Sequence, residues 1–246
     1  MTATLSQRRT LSLEYAQRPE HRQRVVSALA IVQKALSKRR RPYIAFSGGK
    51  DSMVTLALVQ GLAGDVRVVW SDDELEYPEL VEMMAPMIGQ PDLIVTHGWA
   101  EHAGWFRPWA DRPYWRDPFP GTVRIDMPVD GWMAQQGYDL VFTGLRAEEN
   151  TRRNEWLTAN GPIYQVKSGV GMRCCPLWDW TADDVWAYIA THNLPVCGVY
   201  DRLESIGVSQ RAQRVGPLPL ARKSHLIEGW PEMYERLVAR YGERWS

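Results

Sequence analysis

Between His21 and Arg40, apolar residues fall at Val25, Val26, Leu29, Ile31, Val32 and Leu36, a spacing that gathers them on one face of a helix. PYIAFS (42–47) is short and almost wholly apolar, so it reads as a buried strand. A helix is expected from Lys50 to Gly61, ended by the glycine. VRVVW (66–70), DLIVTH (92–97) and YDLVFTG (138–144) read as further strands. PELVEMMAPMIG (78–89) opens with proline in the first turn and closes on glycine, a helix whose last turn Pro86 weakens. VRIDMPVDGWMAQQ is mixed, with a helix broken at Pro128. TADDVWAYIATHN (181–193) is a capped helix: Thr181 precedes acidic first-turn residues, and Val185, Trp186 and Ile189 share a face. A last helix is expected over 231–242.

Strands alternating with helices predict an α/β fold, a doubly wound, mostly parallel sheet with helices on both faces. Such sheets bind ligands beyond the carboxyl ends of their strands. SGGKDS follows the first strand, SDDELEY the second and TGLRAEENTRR the fourth. These three stretches should converge on one lip.

Composition narrows the classes. The chain has 246 residues, 45% of them hydrophobic, enough for one core. Its formal net charge is zero, so the broad basic surplus of a duplex-DNA binder is absent. Lys38-Arg39-Arg40-Arg41 is the densest basic run and reads as the solvated end of a helix. Cys174, Cys175 and Cys197 are too few for a disulfide scaffold. No apolar leader or long apolar span is visible, which reads as a cytoplasmic protein with no membrane contact. Four of the twelve tryptophans lie between Trp99 and Trp115, interleaved with Pro and Arg. They fit base stacking, a lid over a ligand, or core filler for an irregular insertion. His97 and His102 lie nearby and read as structural.

SGGKDS carries the chemistry. A strand-to-helix turn leaves backbone N–H groups unpartnered, and the helix dipole favours an anion there. Gly48 and Gly49 would let a phosphate approach, Ser47 and Ser52 offer hydroxyls, and Lys50 adds positive charge. Asp51 fits such a pocket if it holds a Mg²⁺ shared with the phosphates. The stretch is neither a Walker loop nor GxGxxG, because Asp51 follows the lysine and the required glycines are missing.

Here a resemblance enters. SGGKDS resembles the PP-loop of the ATP pyrophosphatases, whose fold is the adenine nucleotide alpha-hydrolase-like, Rossmann-type sheet. TGLRAEENTRR, CPLWDWTADDVWAYI and LPVCGVYDRLESIG are similar, in order, to stretches of the phosphoadenosine phosphosulfate (PAPS) reductase-like branch. The likeness runs from about residue 43 to about 215. It implies an N-terminal helical segment (1–41), a nucleotide-binding domain (42–195) with an insertion near 98–121, and a helical C-terminal segment (196–246) facing acceptor or partner.

The departures matter as much. No cysteine follows Cys197, so the C-terminal catalytic cysteine of true PAPS reductases is missing. Val208 and Arg211 stand where the later cluster-binding cysteines of the adenosine phosphosulfate reductases would be. No iron–sulfur cluster is therefore expected. Cys174 and Cys175 read either as small buried hydrophobes or as a persulfide-carrying thiol.

Family members that keep the loop without these cysteines resemble adenylating enzymes, such as the small subunit of ATP sulfurylase and the DNA-phosphorothioation enzyme. The resemblance implies ATP with Mg²⁺, pyrophosphate release and an anionic acceptor. Ser47 to Ser52 would hold the β- and γ-phosphates. Backbone near Val69 to Ser71 would read adenine. Among Asp72, Asp73, Glu74 and Glu76, a carboxylate would complete the metal site (Asp73 with Asp51) or bind ribose; the plain alternative is an acidic helix start. Gly144 would let the chain pass under the nucleotide. Arg146 and Arg153 would pair with phosphates or acceptor. Glu149 would orient one of them; the plain alternative is an i,i+4 pair with Arg153. Arg173, Arg211 and Arg214 are acceptor-side candidates. A sulfonucleotide reductase and a non-catalytic nucleotide-sensing subunit are the competing functions. The tail is similar to a reductase-like subgroup with ParB-like protein partners, so a protein of that kind or nucleic acid is the expected partner.

Overall fold

The computed structural model describes residues 5–38, 41–72, 75–97, 119–166, 169–209, 215 and 221–242. Asp73, Glu74, His102, Arg211, Arg214 and the tryptophans from Trp99 to Trp115 lie outside these residues. Helices α1 (Leu5–Tyr15) and α2 (Pro19–Leu36) lead into β1 (Pro42–Ala45). Then come α3 (Lys50–Gln60), β2 (Arg67–Asp72), α4 (Pro78–Met84) with a 3-10 turn at Ala85–Met87, and β3 (Leu93–His97). Next are β4 (Val123–Arg124), α5 (Val129–Gln135) and β5 (Leu140–Phe142). A 3-10 turn (Ala147–Glu149) precedes α6 (Thr151–Asn160), β6 (Ile163–Gln165), β7 (Met172–Cys174) and α7 (Ala182–His192). The chain closes with α8 (Val199–Ser205), α9 (Lys223–Gly229) and α10 (Pro231–Tyr241).

The described strands form one sheet in the order β4-β3-β2-β1-β5-β7-β6. All pairings are parallel except β6 with β7. The order reverses at β1, which lies between β2 and β5, so the ligand crevice of such sheets falls beyond the ends of β1 and β5. This is the expected doubly wound α/β sheet with a helical C-terminal region.

Alternation along the central strands sends side chains to two faces. Ile44, Val68, Trp70, Leu140 and Phe142 join the larger core cluster, shared with α2, α3, α4, α7 and the C-terminal helices. Tyr43, Val69 and Val141 join a smaller cluster with Met133 and Trp132 of α5. No described helix is long and apolar enough to cross a membrane.

The N-terminal helices are anchored by charge as well as by packing. Thr181 and Asp184 form a capping box at the start of α7. Asp184 is fully buried, and Arg24 Nη1 and His21 Nδ1 lie 2.7 and 3.0 Å from its oxygens. Burial alone would push the Asp184 carboxyl up, but His21, Thr181 and Arg24 outweigh it and hold the group below the usual carboxylate value. Its stabilising contribution is therefore complete above the unfolded pKa of about 3.9 and is lost as pH falls through the lower folded value. Asp184→Asn is expected to cost about 3 kcal/mol in urea unfolding and to flatten the loss of stability below about pH 4. An unchanged midpoint would show that this network does not anchor α2.

Candidate functional site

β1 ends at the glycine corner, and α3 starts immediately after it. Gly48 has φ +72°, and a Cβ there would lie 2.2 Å from Leu80 Cδ1 of α4. Only glycine fits. A Cβ on Gly49 would lie 3.3 Å from the Tyr200 hydroxyl. Packing within the protein is thus by itself a reason for glycine at both positions. The space they leave is taken by Leu80 and Tyr200, because α4 and α8 pack directly onto the corner.

Some donors of the corner are engaged within the protein as well. The Lys50 N–H donates to the Tyr200 hydroxyl at 2.9 Å, in a fully buried setting. Ser47 N–H points at Ser52 Oγ (3.2 Å), and the Ser52 hydroxyl donates to the Gly49 carbonyl at 2.9 Å. Burial pushes the Tyr200 hydroxyl pKa upward, so it stays protonated.

Charge gathers one residue further on. Lys50 Nζ lies 2.9 Å from Asp51 Oδ2, and Arg146 Nε lies 2.6 Å from Asp51 Oδ1. Lys50 and Arg146 are each 2% exposed. Arg146 Nη1 also meets Glu148 Oε2 at 2.5 Å and donates to the Trp180 carbonyl at 3.3 Å. Burial opposes the Arg146 charge, but Asp51 and Glu148 outweigh it and raise its pKa. Two cations from the ends of β1 and β5 therefore share one carboxylate at the switch point.

Gly144 makes this approach possible. A Cβ there would lie 2.7 to 2.9 Å from Asp51 C and O and Ser52 N. Its missing side chain lets the chain lie directly against the first turn of α3.

Other expected residues are placed differently. Glu149 accepts from the Arg146 N–H at 2.9 Å and pairs with the Arg153 side chain, the i,i+4 pair of the plain reading. The side chain on the Arg146 guanidinium is Glu148. Arg153 starts α6, capped by Asn150, and is not brought to Asp51. Arg173 pairs with Asp130 at 2.5 Å beneath α5, where Tyr43 also donates to Asp130. β2 runs two residues past the expected Trp70, so Ser71 and Asp72 pair with Thr96 and His97 in the sheet. Asp72 is fully buried instead of standing on the lip. His97 is buried and donates to the Asp72 carbonyl at 3.2 Å, a structural role. Both Asp51 oxygens are taken by cations, so Asp51 does not suit a magnesium ion in this arrangement, and Asp73 lies outside the described residues. Among the described residues, no group of three or more His, Cys, Asp or Glu side chains is gathered for a metal.

Tyr200 and Glu148 received no role from the sequence. Both sit inside stretches quoted for the family resemblance, and that is the one signal that pointed to them.

Residues 41–216 match the phosphoadenosine phosphosulfate reductase domain. The chain belongs to that family. An adenosine 5′-phosphosulfate reductase of Oceanobacillus iheyensis is 28% identical over 169 residues, 64% of this chain and 65% of that protein. This chain thus spans a little under two thirds of that relative. A phosphoadenosine 5′-phosphosulfate reductase of Xanthomonas oryzae pv. oryzae is 27% identical over 182 residues, 71% of this chain and 72% of that one. Among solved structures, the PAPS reductase of Candida auris in its phosphate complex superimposes with a TM-score of 0.54 at 17% identity, covering 88% of this chain and 96% of that one. The FMN adenylyltransferase of Candida glabrata gives 0.52 at 14% identity, covering 78% and 65%. At these identities the two structures speak to fold alone. The sequence relatives are sulfonucleotide reductases by name, yet the three thiols here are buried. Burial pushes Cys174 and Cys175 up and Cys197 up to about 12, so none is a ready thiolate.

Two substitutions test the corner. Gly144→Ala is expected to push the start of α3 away from β5 and to cost about 1–3 kcal/mol in urea unfolding. Tyr200→Phe would leave the buried Lys50 N–H without an acceptor and cost about 1–3 kcal/mol by the same measurement. A neutral result for either would deny the tight packing described.

Proposed function

We propose that the chain binds ATP beyond the carboxyl ends of β1, β2 and β5 and transfers its adenylyl group to an anionic acceptor, in sulfur transfer or nucleic-acid modification. One observation carries the reading: two buried cations, Lys50 and Arg146, converge on Asp51 at the point where the strand order reverses. An arriving phosphate competes with the Asp51 carboxylate for both. Arg146 is suited to this by its planar fork of donors. Ser71 Oγ and Thr96 Oγ1 add support. They are in register at the ends of β2 and β3, buried, and without a hydrogen-bond partner among the described residues. Polar edges of the adenosine would satisfy them.

The chemistry asks for no side-chain nucleophile. An acceptor oxygen attacks the α-phosphorus, and the bond to the bridging oxygen of pyrophosphate breaks. Negative charge moves onto the leaving pyrophosphate, where Lys50 and Arg146 are already in place. Their contribution is preorganised electrostatics and alignment of the reactants. No step is assigned to magnesium.

A sulfonucleotide reductase is the second reading, favoured by the named activities of the sequence relatives. The burial of all three thiols favours adenylation over it.

Calorimetry with ATP, adenosine phosphosulfate and PAPS separates the readings. ATP is expected to bind, and Lys50→Gln and Arg146→Ala to weaken it about tenfold or more while abolishing pyrophosphate release. Silence with all three nucleotides would remove the nucleotide reading. Sulfite release that disappears in a Cys174→Ser, Cys175→Ser, Cys197→Ser triple variant would replace adenylation with reduction.

A further inference from the structure

Beside the charged centre, a cavity of about 810 Å³ runs along α6, lined by Leu145, Asn150, Arg152, Arg153, Trp156 and Tyr164 among others. That volume lies within the range of ligand sites, about 300–1,000 Å³. Trp156 is 52% exposed, the most costly side chain to leave in water on this helix. Its ring is braced edge-on by Tyr164, with centroids 5.9 Å apart and planes at 76°. The indole carries a flat open face and is held in place by a second ring. Arg152 is exposed and has no carboxylate partner among the described residues. Arg153 is held by Glu149, and Glu155 is the acidic member of the lining.

We propose that this groove binds an unpaired base of single-stranded nucleic acid, stacked on Trp156, with the flanking phosphate on Arg152 and Arg153. Stacking on an aromatic face next to guanidinium groups is how single strands are held without duplex readout. An apolar peptide would leave the two arginines facing hydrocarbon, whereas a strand supplies both a ring face and an anion. The groove is also linked through the chain to the proposed catalytic centre. Leu145 adjoins Arg146, and Glu149 joins the Arg146 backbone to the Arg153 side chain. As the acceptor subsite the groove rests on the adenylation reading; as a base-binding site it does not.

The neutral net charge sharpens the test. With at most two arginines on phosphate, log K against log salt should have a slope no steeper than about −1.4 for a single strand. Fluorescence anisotropy of labelled oligothymidylate and oligoadenylate with the full chain should show binding of this shallow kind. Trp156→Ala should weaken binding about tenfold or more, Trp156→Phe should largely restore it, and Arg152→Glu should weaken it and flatten the salt slope. Thermal unfolding of each variant checks that the fold is kept. Heat from ATP should be unchanged in Trp156→Ala. If ATP fails to bind the wild type while oligonucleotide binding still depends on Trp156, the groove stands and the adenylation reading falls. Equal oligonucleotide affinity in wild type and Trp156→Ala would overturn the proposal. So would thymidine monophosphate binding as tightly as the strand, or self-association in sedimentation that Trp156→Ala abolishes without any oligonucleotide binding.

Discussion

A carboxylate flanked by two buried cations is costly to assemble, because each charge must leave water before the attraction repays it. Asp51 is held this way by Lys50 and Arg146, and the arrangement exists only because β1 and β5 are neighbours at the point where the sheet reverses. Gly144 lets the chain after β5 lie against the first turn of α3, so that Arg146 reaches Asp51. Glu148 and the Trp180 carbonyl then occupy the remaining guanidinium donors. Remove any one of these conditions and a buried charge is left uncompensated. The centre is therefore tied to the topology of the sheet, and through Trp180 to the start of α7.

The C-terminal helices complete this centre. Tyr200 of α8 accepts from the first amide of α3, and its ring lies 5.7 Å from the Lys50 ammonium. α8 is fixed in turn by Arg202, which donates to the Gly229 carbonyl and lies over the Trp230 ring, while the Trp230 indole N–H donates to Glu79 of α4 at 2.9 and 3.0 Å. α4 is the helix whose Leu80 closes the space beside Gly48. Helices far apart in sequence thus converge on one corner, where the Ser47 and Lys50 N–H groups are engaged within the protein.

Strands β1, β2, β3 and β5 and the helices α2, α3, α4, α7 and α10 were legible in the sequence because their patterns are local: apolar runs of strand length, a proline at a first turn, Thr181 before acidic residues. Strands β4, β6 and β7 were not, being two or three residues long and defined by their partners. Helix α1 has no marked apolar face to announce it. At the site, Lys50, Asp51 and Arg146 were legible as chemistry-bearing types at strand ends. Neighbours distant in the chain were not legible. Gly48 was read as an approach for phosphate and Gly144 as the point where the chain passes under a nucleotide; the residues that require glycine there, Leu80 and Asp51, are 32 and 93 positions away. Asp72 looked like a lip residue because β2 was expected to end at Trp70; the pairing with β3 that buries it is non-local.

The same distinction bears on what chemistry this family member retains. A thiol acts as a nucleophile only as thiolate, and burial raises the pKa of all three cysteines. Cys175 is the least isolated of them. Thr143 lies 3.3 Å from its sulfur, Tyr164 is at 4.0 Å, and Arg173 and Arg153 pull its pKa down, yet burial still prevails. Cys175 directly follows β7, and its N–H donates to the Pro162 carbonyl at 2.8 Å. None of the three thiols is a ready thiolate as the chain is folded, whereas Lys50 and Arg146 already stand on Asp51 at the switch point of the sheet.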